Sequence, residues 1–195
     1  MATLEEIVSQ LESLTAESLD ELVPFIRYLR WKQGTSRARV QGRPWTYDFV
    51  EHFRQATVLA DPDAAGMEVR VGEAVCKGDA RMALWEHPPV EGSAVVEYQV
   101  PVPAGTRNLC LSFATGIRDG SSLAEGNVVA FRIFVDDWRI WSDTQHARGW
   151  RQHEIAMPTM PGDMTRIQFV TDGLGNHEWA WAVWAEPRLN GEMGE

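Results

Sequence analysis

Three tryptophans, Trp138, Trp141 and Trp179, stand beside predicted loops, and planar or charged side chains lie near them in sequence: Arg118, Asp119, Asp143, Asp172, Asn176 and His177. A flat aromatic face next to hydrogen-bonding groups holds a ligand that has an apolar side and a polar edge, so this set predicts binding rather than turnover. Patterns that carry catalysis do not occur: there is no Gly-x-Ser-x-Gly, Walker loop, Rossmann glycine pattern or HExxH, and the chain is expected not to be an enzyme. The adjacent carboxylates Asp136 and Asp137 read as a tight hairpin turn, because neighbouring strand residues point to opposite faces and cannot work as a pair. His52, His87, His146, His153 and His177 lack zinc-ligand spacing and are assigned to the surface or the edge of the core. Cys76 and Cys110 lie far apart and outside any CxxC pattern, which predicts two reduced thiols.

The elements that must position these residues are short strands. From Trp45 onward, apolar or alternating runs recur between turn signals, at residues 67–71, 80–85, 94–100, 109–114, 128–135, 139–141, 151–156, 166–170 and 179–185. Many short strands without an intervening helical pattern predict a mainly β fold, an antiparallel jelly-roll β-sandwich over residues 45–195. The turn at Asp136 and Asp137 should expose Trp138, and the loops at 101–105 and 158–162 should join strands across the two sheets. Trp150, Trp181 and Trp184 are assigned to the core.

Ahead of the sandwich, Leu4, Ile7, Val8, Leu11 and Leu14 fall at helical spacing. Thr15 can cap a second helix that carries Leu19, Leu22, Val23, Ile26 and Leu29 on one face, with Pro24 dividing it and Gly34 ending it. Residues 1–33 are therefore expected to form an α-helical hairpin, followed by a basic linker over 34–44. So small a hairpin cannot be stable alone, which makes residues 4–31 a candidate surface for self-association or for a protein partner. Residues 17–32 also resemble short bacterial helical domains of unknown function.

The 195 residues carry a net charge of −10, a field that repels phosphates and argues against nucleic acid as the partner. Arg30, Lys32, Arg37, Arg39 and Arg43 form a local basic segment against that background. No apolar run is long enough to cross a bilayer, so no membrane association is expected. The acidic start Met1 to Glu6 lacks the basic and apolar segments of a secretory signal and predicts the cytoplasm.

An ordered series of residues carries a more specific resemblance. His87-Pro88-Pro89, Gly92, Ala94, Tyr98, Val100, Val102-Pro103, Gly105, Leu111, Phe113 and Gly116 to Ser121 lead into Phe131 to Val135, Gly149-Trp150, Ile167 to Asp172, Asn176 and Trp181 to Leu189. Over residues 80–189 this series is similar to the galactose-binding-like β-sandwich superfamily, especially its NPCBM-type carbohydrate-binding modules. The resemblance implies a non-catalytic module that binds a glycan or a small polar ligand through end loops, here 118–122, 138–143 and 172–179. It implies no cofactor beyond a structural calcium in some members, for which Asp172, Asn176 and Glu186 would be the oxygen donors. Ala180 stands where such modules often carry an Asp. The alternative is an intracellular interaction or assembly protein working through the N-terminal hairpin.

Overall fold

In the computed structural model the chain divides into two compact units, Met1–Arg39 and Val40–Glu195. The structure describes residues 10, 13–15 and 18 of the first unit, and residues 42–59, 67–89, 91–122, 128–157, 164–175 and 179–194 of the second. In the first unit Gln10 and Ser18 are helical, and the Ser18 amide donates to Thr15 Oγ1 at 3.3 Å. That is the bond by which an N-cap threonine satisfies an orphan amide. The rest of the expected helical hairpin, its apolar stripe and most of the basic linker lie outside the described residues.

The second unit is a two-sheet antiparallel sandwich. Its strands are β1 (Arg43–Asp48), β2 (Thr57–Val58), β3 (Glu68–Cys76), β4 (Asp79–His87), β5 (Ser93–Pro101), β6 (Thr106–Ile117), β7 (Val129–Val135), β8 (Trp138–Gln145), β9 (Gly149–Ala156), β10 (Met164–Asp172) and β11 (Ala182–Met193). The first sheet runs β3-β4-β11-β6-β9, and the second β2-β5-β10-β7-β8. One edge of β11 is shared, with β4 pairing at Val183 to Ala185 and β1 at Arg188 to Met193. From β4 to β5, β5 to β6, β6 to β7, β8 to β9, β9 to β10 and β10 to β11 the chain changes sheet. Each inner face therefore reads as an alternation: Ala94, Val96, Tyr98 and Val100 of β5 are buried while Val95, Glu97 and Gln99 are not.

Trp184 sits at the centre of this core with no exposed surface. The rings of Phe131, Phe169 and Phe113 surround it at 5.1, 5.2 and 5.5 Å in tilted or edge-on contacts, the arrangement aromatic quadrupoles favour. Tyr98 donates its hydroxyl to the Phe49 carbonyl at 3.0 Å, fastening the segment after β1 to the same core. Asp136 and Asp137 both have positive φ, +46° and +74°, and form the tight turn between β7 and β8 that the sequence predicts.

Several elements differ from the sequence-based expectation, and β2 falls on no expected strand. β1 begins at Arg43, so the end of the expected linker already belongs to the sandwich. β11 begins at Ala182 rather than at residue 179, because the Trp181 and Ala182 amides bond back to the Trp179 and Ala180 carbonyls, both at 2.8 Å, and curl that segment out of the strand. A second, smaller cluster lies on the far side of the first sheet, where Ala74 and Cys76 of β3 pack with Ala83, Trp85, Ala114, Val183 and Ala185, against Trp150. The β3–β4 hairpin thus folds across the outer face of its own sheet. Its turn is held there by Asp119, whose two carboxylate oxygens accept the Lys77 and Gly78 amides at 2.7 and 2.8 Å. Both cysteines are free thiols. Among the described residues no helix is long and apolar enough to cross a membrane.

Candidate functional site

The end of the first sheet, where β3 and β11 start and β4 and β6 finish, gathers four aromatic rings and two guanidinium groups. Arg70 pairs directly across from Trp85, and its guanidinium lies 3.2 Å from the centre of the indole. Arg118, just past β6, places its guanidinium 3.3 Å from the same ring and 5.2 Å from that of Trp181. Two such groups cannot share one face at that separation, so they clasp Trp85 from both sides. His87, two residues along β4 from Trp85 and therefore on the same face, stacks within 27° of Trp85 at 5.7 Å and within 10° of Trp181 at 6.2 Å. Glu68 balances part of the charge, accepting from Arg70 Nε at 2.6 Å and approaching His87 Nδ1 to 3.5 Å.

Trp179 ends this ladder. Its ring is 5.3 Å from Trp181, and it is 47% exposed. Its φ of +61° is left-handed, a conformation that crowds a bulky side chain and persists only when its surroundings hold it. The holding contacts are the Ser121 hydroxyl, which donates to the Trp179 carbonyl, and the amide of Trp181, which bonds to the same oxygen. The outcome is an indole displayed outward on a stiff base.

Polar atoms beneath the platform lack partners. Trp85 Nε1, His87 Nε2 and Arg118 Nε are buried without a hydrogen bond among the described residues. Burial lowers the imidazole of His87 to about 4, with Arg118 and Arg70 acting in the same direction and Glu68 opposing them. The ring is therefore neutral near pH 7, and a proton on Nδ1 facing Glu68 leaves Nε2 as an acceptor. Burial also lowers Arg118, which remains a cation. An acceptor on His87 and a donor on Arg118 thus lie buried beneath an aromatic platform.

Of the residues singled out in the sequence, the structure brings Arg118 and Trp179 together. Asp119 is adjacent, but its carboxylate is spent on the β3–β4 turn, and those backbone bonds hold it below the usual carboxylate range. Trp138 is 41% exposed, as its turn implies, yet sits at the opposite end of the sandwich: it pairs with Val135, five residues along β7 from the Ala130 that faces Asp172. That spacing is about 17 Å of strand. Trp141 is partly buried and packs onto Phe113 and His153, at 4.9 and 4.7 Å. Asp143 bonds Arg151 at 3.1 Å. Asn176 and His177 lie outside the described residues.

Two of the expected calcium donors, Asp172 and Glu186, are not brought together, and the third, Asn176, lies outside the described residues. Asp172 gives one oxygen to Arg132 at 3.0 Å and the other to the Leu174 amide at 2.7 Å, while Glu186 lies in the other sheet at an irregularity of β11. Among the described residues no three His, Cys, Asp or Glu side chains form a metal cluster.

Sequence reasoning did not single out Glu68, Arg70 or Trp85, and it left His87 at the core edge and Trp181 in the core; Trp181 is instead half-buried in the ladder. The available signal was the period-two spacing of Glu68 with Arg70 and of Trp85 with His87, which places each pair on one face of its strand.

No protein-family model matches the sequence, and no curated protein matches it. Solved structures match the fold. The tandem CBM51 modules of the family 98 glycoside hydrolase from Streptococcus pneumoniae superpose with a TM-score of 0.55 at 11% identity, over 78% of this chain and 49% of that one. CBM51-2 of Clostridium perfringens ZmpB, solved in complex with GlcNAc, gives 0.52 at 13% identity, over 76% of this chain and 32% of that one. A tandem CBM22 domain from Paenibacillus barcinonensis gives 0.50 at 11% identity, covering 82% and 48%. The chain thus spans a third to a half of those structures. Its fold is the two-sheet antiparallel β-sandwich that these carbohydrate-binding modules also adopt.

Proposed function

We propose that this protein is a non-catalytic carbohydrate-binding module whose site is the end of the first sheet, with Trp179 as the platform for a sugar ring. The observation that carries the reading is the exposed, left-handed Trp179 above Trp181, Arg118 and His87. A pyranose offers an apolar C–H face and a rim of hydroxyls. The indole takes the first, and the half-buried Arg118 guanidinium beside the ladder suits the second. The base is preorganised by the two guanidiniums around Trp85, so little ordering cost is left for binding. Among the described residues, no pair of carboxylates and no nucleophile with a base accompanies the platform.

The test is calorimetric titration with GlcNAc-terminated and galactose-terminated oligosaccharides, followed on Trp179→Ala and Trp138→Ala. Loss of the stacking face should weaken binding by at least about tenfold, or ~1.4 kcal/mol. Trp138, at the other end, should be silent. A glycan bound equally well by Trp179→Ala would place the site elsewhere, and the absence of binding to any glycan across an array would refute the reading.

A further inference from the structure

We infer a second binding site, for the carboxylate of an acidic sugar, in the cleft between the folded-over β3–β4 turn and the start of β9. The cleft has a volume of about 410 Å³, and Lys77, Arg81, Arg148 and Arg151 line it together with Trp150 and Asp79. Four cations converge here in a chain whose acids exceed its bases by ten. Three carboxylates are nearby, and each is engaged. Asp79 holds Arg81 through two bonds at 2.7 and 2.9 Å, Asp143 pairs with Arg151 at 3.1 Å, and Asp119 is consumed by the backbone of Lys77 and Gly78. Arg148 and Lys77 form no ion pair among the described residues. Arg148 donates only to the neutral Ser121 carbonyl.

The cleft is built rather than incidental. Gln145, 1% exposed, receives the Thr115 hydroxyl and donates to the carbonyls of Ala147 and Gly149 at 2.9 and 2.7 Å, which locks the loop that presents Arg148. Lys77 occupies a turn position that favours Asn, Asp or Gly, with φ of +55°, and the Asp119 clasp holds it there. A lysine kept in an unfavourable conformation at the mouth of a cationic cleft points to a use for its ammonium group. Trp150 lies flat against Gly116, where a Cβ would come within 2.6 Å of the ring, and its Nε1 is fixed by the Asp79 carbonyl at 3.0 Å. The cleft therefore sets the Trp150 wall, with the Arg81 guanidinium 5.4 Å from its ring centre, beside Lys77 and Arg148, which form no direct ion pair, and Arg148 is a planar fork suited to a carboxylate. A uronic acid ring has both complementary features.

The sugar half of this assignment rests on the carbohydrate-binding reading, whereas its anion half does not. The probe is a glucuronate-terminated disaccharide compared with its glucose-terminated counterpart and with a sulfated glucose, titrated into the full chain, Lys77→Met, Arg148→Met and Trp179→Ala at low and high salt. The wild type should prefer glucuronate, and the preference should shrink with salt because its source is charge. Lys77→Met and Arg148→Met should each reduce that preference about fivefold. Trp179→Ala should leave glucuronate binding intact while weakening the neutral sugar. Lys77 is a turn residue whose side chain fastens no other element, so its variant still reports if Arg148→Met disturbs the loop. Equal binding of the acidic and neutral sugars by the wild type, or a preference unchanged in Lys77→Met, overturns the second site without touching the Trp179 platform. Binding of the sulfated sugar with none of glucuronate overturns the carboxylate assignment.

Discussion

His87 makes the ladder sensitive to acid, and the size of the effect follows from its burial. The unfolded imidazole titrates near its ordinary 6.5, whereas burial takes the folded one down to about 4. Between those values the unfolded chain binds a proton that the folded chain refuses. Stability is therefore greatest above about pH 6.5 and is lost as pH falls toward 4. At 1.36 kcal/mol per unit, the loss from about pH 7 to about pH 4.5 is ~2.7 kcal/mol, an order-of-magnitude figure for a side chain that is 5% exposed. His87→Phe retains a flat ring between Trp85 and Trp181 and removes the proton. Urea denaturation of wild type and variant at both pH values reads the difference directly, because every other titrating group cancels to first order. The wild type should lose ~2.7 kcal/mol relative to His87→Phe on acidification. A difference that stays constant within about 0.5 kcal/mol would refute both the depressed imidazole and the buried position assigned to it.

Glu86 should bend the same curve the other way. It has no exposed surface, burial drives its carboxyl well above the usual range, and Trp184 Nε1 donates to one of its oxygens. The folded chain keeps a proton that the unfolded chain releases, so Glu86 reduces stability by up to ~1.4 kcal/mol for each unit above the ordinary carboxyl value, until the folded group ionises. Glu86→Gln should flatten that slope in the same denaturation series, and an unchanged slope would contradict a buried acid. Gly116→Ala should cost about 1–3 kcal/mol in calorimetry, since its Cβ would meet the Trp150 ring at 2.6 Å and Cys76 Sγ at 2.8 Å. Gly78→Ala, where nothing lies within 4 Å but φ is +77°, should cost about 1 kcal/mol for backbone reasons alone. If the two costs were reversed, the outer-face packing described above would be wrong.

What the amino-acid order determined was local. Alternation placed Ala94, Val96, Tyr98 and Val100 on one face of β5, the Asp136-Asp137 pair made its turn, and the prolines of 101–105 marked a passage between sheets. Each depends on neighbours a few residues apart, where side-chain period and backbone preference suffice. β1 and β2 were illegible because a six-residue and a two-residue strand carry weak patterns, and β1 exists only by pairing with β11 about 140 residues later. The site is long-range in the same sense. Arg118 meets Trp85, Ser121 meets the Trp179 carbonyl, and Asp119 meets Lys77 only once the sheets are stacked and the β3–β4 hairpin folds over. Sequence proximity to loops grouped Trp138 with Trp179, although antiparallel strands send successive loops to opposite ends. Tertiary structure decided which tryptophans face solvent and which gather at one end, because that depends on which end of the sandwich each turn occupies and on which guanidinium reaches which ring.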